Sequence, residues 1–235
     1  MVRWGQRHFG PISVTGQAIC NGGDGMLLDN IVIRTLTRLF DLILLNILWV
    51  ICSLPVVTMG ASTSALYSVM LKIAVNEEGY LIRGFLVAFK KNFKQSTVVW
   101  MILLIIGAAL GADFMIIGKI KGIFGNAGMI LLGAATLIYL IEIIFIFPII
   151  ARFENTTINV MKNALLIPLS RLPYIFPVLL LTAVCLLLTF LNQKTVVIGA
   201  AVWSVIGGAL LVFANSFIMH EMFRPFEEKE TTPQR

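Results

Sequence analysis

Five apolar blocks dominate this chain and restrict what it can fold into. They run approximately over Leu36–Leu54, Ser96–Gly118, Gly128–Ile150, Tyr174–Leu191 and Val196–Met219. Each approaches or exceeds the roughly 20 residues that a helix needs to cross the ~30 Å hydrocarbon core of a bilayer. With 58% hydrophobic residues and only 13% charged ones, the chain cannot cover such blocks with a polar surface, because soluble chains carry about 25% charged residues. A soluble fold is excluded. The expected fold class is all-α, a polytopic transmembrane helical bundle.

The stretch Leu36–Val75 decides how the bundle is threaded. Its first half reads as a span that Pro55 stops. After Gly60 comes a shorter helix, Gly60–Val75, carrying Ser62, Thr63, Ser64 and Ser68. Basic residues arbitrate whether it returns across the membrane. If it does not, the 18 Lys and Arg divide eleven to seven between the two faces; if it does, they divide fifteen to three. Basic residues resist translocation, so the reading is six membrane helices, the second short or re-entrant, with both termini cytoplasmic. Gly60, Ser64 and Ser68 fall on one helical face, which lets a neighbouring backbone approach. Gly107 and Gly111, and Ala200, Ser204 and Gly208, repeat the spacing. Such faces serve packing within one chain, with homo-oligomer formation as the alternative.

Two amphipathic stretches complete the fold as interfacial elbow helices. In Tyr80–Gln95, Phe85, Phe89 and Phe93 recur at steps of four beside Arg83, Lys90, Lys91 and Lys94, the pattern of a helix lying among lipid headgroups. In Asn155–Leu172 the apolar stripe is Met161, Leu165, Leu169 and Leu172. The domain reading is a partly disordered cytoplasmic arm over 1–35, a membrane domain over 36–219 and a cytoplasmic tail over 220–235. Arg3 and Arg7 precede no continuous apolar run, so the arm does not read as a signal peptide. Cys20, Cys52 and Cys185 show no motif spacing, and the net charge of +6 sits between apolar blocks. Neither a metal nor nucleic acid is implied as a partner; the lipid bilayer is.

Several short segments resemble the YesL family of bacterial integral membrane proteins. They include Leu45-Asn46-Ile47-Leu48-Trp49, Leu54-Pro55-Val56-Val57-Thr58-Met59-Gly60-Ala61, and Ala65-Leu66-Tyr67. Further along come Asn76-Glu77-Glu78-Gly79, the run Phe89 to Ser96, Phe147-Pro148 with Ala151-Arg152-Phe153, and Lys162 to Leu165. The resemblance covers most of the chain from about residue 34 to the last span. It implies a compact helical protein of unassigned activity, encoded beside carbohydrate-uptake systems and their sensors, and it brings no catalytic residue with it.

Glu142, near the middle of its span, is the residue most suggestive of chemistry. An unpaired charge at such a depth costs about 2.5–3.5 kcal/mol, so the carboxyl must be protonated, paired or wetted. Tyr139 lies one turn earlier, and Asn46 and Asn215 are polar residues able to approach from other helices. The functional reading is a proton- or cation-coupled site in a small transporter or channel; the structural one is an interhelical hydrogen bond. In the second elbow, Glu154, Asn155, Lys162 and Asn163 form a candidate partner-docking face. The chain lacks HExxH, GxSxG, CxxC and Walker motifs, which points away from an enzyme and gives no cofactor. The leading expectation is a membrane protein that assists or regulates carbohydrate uptake or sensing through contact with a sugar transporter or sensor.

Overall fold

The computed structural model describes residues 23–75, 80–120, 122–153 and 155–231, with backbone alone for 23–32, 34 and 226–231. The expected arm up to residue 22, Cys20, Glu77, Glu78 and Glu154 lie outside the described residues. Eight α-helices follow one another: α1 (Gly23–Ser53), α2 (Met59–Ala74), α3 (Leu81–Ile117), α4 (Ile123–Arg152), α5 (Thr157–Ser170), α6 (Leu172–Phe190), α7 (Gln193–Val202) and α8 (Gly208–Thr231). A 3₁₀ turn, Val56–Thr58, leads into α2, and a π turn, Trp203–Gly207, joins α7 to α8. Among the described residues six helical stretches are long and apolar enough to cross a membrane, as an all-α polytopic bundle requires. Met1–Arg38 and Leu39–Arg235 are separate compact units. The described part of the first is helical, with the Thr37 hydroxyl donating to the Ile33 carbonyl; the second holds all the packing considered below.

Pro55 breaks the chain between α1 and α2, and side chains answer the Cys52, Pro55 and Val56 carbonyls at the break. Thr58 shares its hydroxyl between the Cys52 and Pro55 carbonyls at 2.7 and 2.8 Å. Trp100 Nε1 donates to the Val56 carbonyl at 2.7 Å. In hydrocarbon each unanswered group would cost several kcal/mol, so the break is stable only because a side chain covers it. Ser53 bonds Ser62, and Trp49 Nε1 donates to Thr63 at 3.2 Å. The two helices therefore form a hairpin. Leu54, Val56 and Val57 at its tip are exposed, an apolar edge suited to lipid.

Helix α2 is the buried centre. Within its span 61% of residues are buried, against 6–28% in the other five. A Cβ on Gly60 would stand 2.7 Å from Trp100 Cβ and 2.8 Å from the Ser96 carbonyl, so glycine alone permits this approach. Ser64 and Ser96 hydroxyls meet at 2.9 Å, and Ser68 donates to the Ala151 carbonyl at 3.4 Å. These pairs make α2 antiparallel to α3 and parallel to the end of α4. Leucine, methionine and tyrosine side chains of α2, among them Leu66, Met70 and Tyr67, fill the space around it with Phe85, Phe145 and Ile149.

The first elbow requires correction. Tyr80–Gln95 is helical and amphipathic, but it is continuous with the third span, and α3 runs unbroken for 37 residues. No proline interrupts it, and charged residues do not break helices. Its two halves take different partners: Leu81–Trp100 lies beside α2, while the apolar remainder pairs with α4 through Leu103, Gly107 and Ile117. Phe85 is fully buried against α2 and Phe89 stacks on it, so these rings face protein rather than headgroups. The second elbow is a separate helix, α5, whose buried face is Val160, Ala164, Ile167 and Pro168. The stripe expected from Met161, Leu165, Leu169 and Leu172 lies one residue out of phase, because α5 docks on the end of α4 and leaves Leu169 and Leu172 exposed.

Gly60→Ala is expected to overpack this contact and cost about 1–3 kcal/mol, seen as a lower Tm in detergent. Gly111, the second glycine of the Gly107–Gly111 pair in α3, has no atom within 4 Å of a built Cβ, and Gly111→Ala should leave Tm unchanged or raise it.

Candidate functional site

The polar residues singled out within the spans are mostly committed to helix contacts. Asn46 is completely buried and reaches across to the last helix. Its Nδ2 donates to the carbonyls of Trp203 and Ser204 at 3.0 and 2.9 Å, and its Oδ1 accepts from Ala209 N–H at 2.8 Å. These groups belong to the π turn and its exit, where the wider winding frees backbone groups from their usual partners. One asparagine thus satisfies three backbone groups that lipid could not. Gly208 allows the approach, since a Cβ there would stand 2.8 Å from the Trp49 ring.

Tyr139 turns to α3. Its hydroxyl donates to the Leu103 carbonyl at 3.0 Å, in space left by Gly107, whose Cβ would lie 2.6 Å from that oxygen. Asn215 on α8 is buried; its amide faces the Tyr67 hydroxyl, and its Oδ1 has no partner among the described residues. Glu142 is half-buried between Ile141 and Ile143 and forms no hydrogen bond or ion pair among those residues. Tyr139, Asn46 and Asn215 are thus engaged with three different helices, and none of them bonds to Glu142. Among the described residues no group of three or more His, Cys, Asp or Glu could hold a metal ion.

On the elbow face, Asn155 and Lys162 are exposed and Asn163 is half-buried; Glu154 lies outside the described residues. Asn155 also ties elements together, its carbonyl accepting from Gln95 Nε2 at 2.7 Å.

That bond lies beside a cavity of about 1120 Å³ between the end of α2, the first half of α3, the end of α4 and the start of α5. Lys72, Arg83, Lys91 and Arg152 line it, with carboxamides from Asn92 and Asn159. A second cavity of about 590 Å³, mostly apolar, lies between Leu44 of α1 and the Tyr80–Lys90 stretch of α3. Glu142 lines neither. Sequence reading gave Arg83 and Lys91 to the headgroup-facing side of the first elbow but did not bring them together with Lys72 and Arg152, because the residues that converge here lie on four elements and share no local motif.

Residues 42–114 match the model of a family described as a protein of unknown function, DUF624. The match covers less than a third of the chain and spans the α1–α2 hairpin and most of α3. It includes the Leu45–Trp49, Leu54–Ala61 and Phe89–Ser96 segments on which the YesL resemblance rests. No curated protein and no solved structure matches the chain.

Asn46→Leu is expected to strand the three backbone groups and cost about 1–3 kcal/mol, with a matching fall in Tm. Asn46→Asp, which retains the acceptor for Ala209 but lacks the donors, should also destabilise. A variant as stable as the parent would contradict the bridging role.

Proposed function

We propose that this chain is a non-enzymatic, multi-pass protein of the cell membrane that acts as an accessory or regulatory component linked to carbohydrate uptake or sensing. It works through contact with a membrane-protein partner such as a sugar transporter or sensor. The observation that carries this reading is the use made of intramembrane polar groups. Asn46, Tyr139, Ser64 and Ser68 join helix to helix, which favours a fixed scaffold over a conduit. The carbohydrate link rests on the YesL resemblance alone.

The orientation we propose places both termini in the cytoplasm. The fifteen-to-three division of basic residues supports it. So does the α1–α2 hairpin: its tip reaches Trp100, and α2 then leads back toward the start of α3. Leu44 of α1 faces that same end of α3. A hairpin that turns within the membrane returns the chain to the side it left, whether or not α2, about 24 Å long at 1.5 Å per residue, crosses completely.

A second reading, a small transporter or channel, is favoured by one observation: Glu142 carries a half-buried carboxyl with no hydrogen bond or ion pair among the described residues. The substitution Glu142→Gln separates the two. As an accessory protein, the variant keeps or raises its Tm and still co-purifies with a transporter or sensor from membranes grown on the inducing sugar. Loss of a solute flux in proteoliposomes, with Tm unchanged, would transfer the function to Glu142.

A further inference from the structure

The cavity between α2, α3, α4 and α5 has a chemistry that the scaffold role does not use. Among the described residues its lining presents four cations and no carboxylate, together with carboxamide donors. Lys91 and Arg152 are already engaged by other groups of the protein. Lys72 and Arg83 are exposed and, among the described residues, have no hydrogen bond or ion pair. They come from the end of α2 and the beginning of α3, two antiparallel helices whose register is fixed by Gly60 and by the Ser64–Ser96 bond. Gln95, bonded to the Asn155 carbonyl, holds the start of the α4–α5 connection against α3. The cations are therefore mounted on elements that cannot readily separate.

We infer that this cavity binds the phosphate group of an anionic amphiphile through Lys72 and Arg83. Lysine and arginine are the side chains that hold phosphate oxygens, arginine by two parallel N–H bonds, and Asn92 and Asn159 add neutral donors. The second cavity indicates the rest of the ligand. It shares Tyr80, Leu81, Arg83 and Val87 with the first and is otherwise lined by apolar side chains and Lys90. A charged head in one cavity and an acyl chain in the other would straddle Arg83, as a phospholipid does at a basic pocket between membrane helices. A free phosphate would use the first cavity only.

The test uses the full chain in a mild non-ionic detergent and reads Tm against added dioctanoyl phosphatidylglycerol, dioctanoyl phosphatidylcholine or inorganic phosphate. A ligand that binds the folded state raises Tm with its concentration. The proposal expects phosphatidylglycerol to raise Tm more than phosphatidylcholine at equal concentration, and phosphate to do little. Arg83→Gln should weaken the apparent Kd roughly fivefold, and Lys72→Gln with Arg83→Gln roughly 25-fold, at about 1 kcal/mol per cation. Both variants alter exposed side chains, so their Tm without lipid should match the parent. Lys194→Gln, at an exposed lysine that lines neither cavity, should respond as the parent does. If inorganic phosphate alone gives the full shift and the double variant loses it, the phosphate site stands and its lipid source is overturned. A shift that survives the double variant, or no shift with either anion, overturns the site.

Discussion

Helix α2 lies against α3 at a distance that a side chain on Gly60 would forbid, and much of the bundle is arranged around that contact. In lipid there is no hydrophobic drive to bring apolar helices together, so association rests on close packing and on hydrogen bonds between helices. Both are concentrated on α2. Gly60 and Ser64 meet α3, Ser68 meets α4, Ser62 and Thr63 meet α1, and Tyr67 faces Asn215 on α8. A sixteen-residue helix with little apolar bulk on its α3 face thereby becomes the part of the protein best hidden from lipid.

The remaining helices compensate for irregularities that a membrane would otherwise punish. The break at Pro55 is closed by Thr58 and Trp100, and the π turn at Trp203–Gly207 by Asn46. In both, a residue distant along the chain supplies what a regular helix would have provided for itself. This is the physical content of the scaffold reading: polar groups within the bundle serve its own backbone. A separate group of polar side chains gathers at the end of the α2–α3 pair, around Lys72 and Arg83, where it lines open space.

Much of this was legible in the sequence, and the reasons differ by element. The four-residue spacing of Gly60, Ser64 and Ser68 marked a close-packed face, and that is where α3 and α4 sit. Six helical stretches with membrane-spanning character follow from apolar block length. The elbow at Tyr80–Gln95 was not separable from the span after it, because nothing in Asn92 to Thr97 stops a helix and only tertiary contacts divide α3 into two halves. Periodicity identified the phenylalanine stripe, but it cannot tell a protein partner from a lipid one. Asn46 was recognised as a polar residue within a span, whereas its partners lie 157 to 163 residues later, beyond any local pattern. The convergence of Lys72, Arg83, Lys91 and Arg152 on one cavity was invisible for the same reason.

The most direct test of the central contact joins its two sides. With Cys20, Cys52 and Cys185 replaced by alanine, Ser64→Cys and Ser96→Cys are introduced together and membranes are mildly oxidised. The Ser64–Ser96 hydroxyl contact of 2.9 Å predicts near-complete disulfide formation between α2 and α3. Two cysteines that stay reduced and react freely with a membrane-permeant maleimide would show that α2 does not lie against α3, and the arrangement built on it would fall.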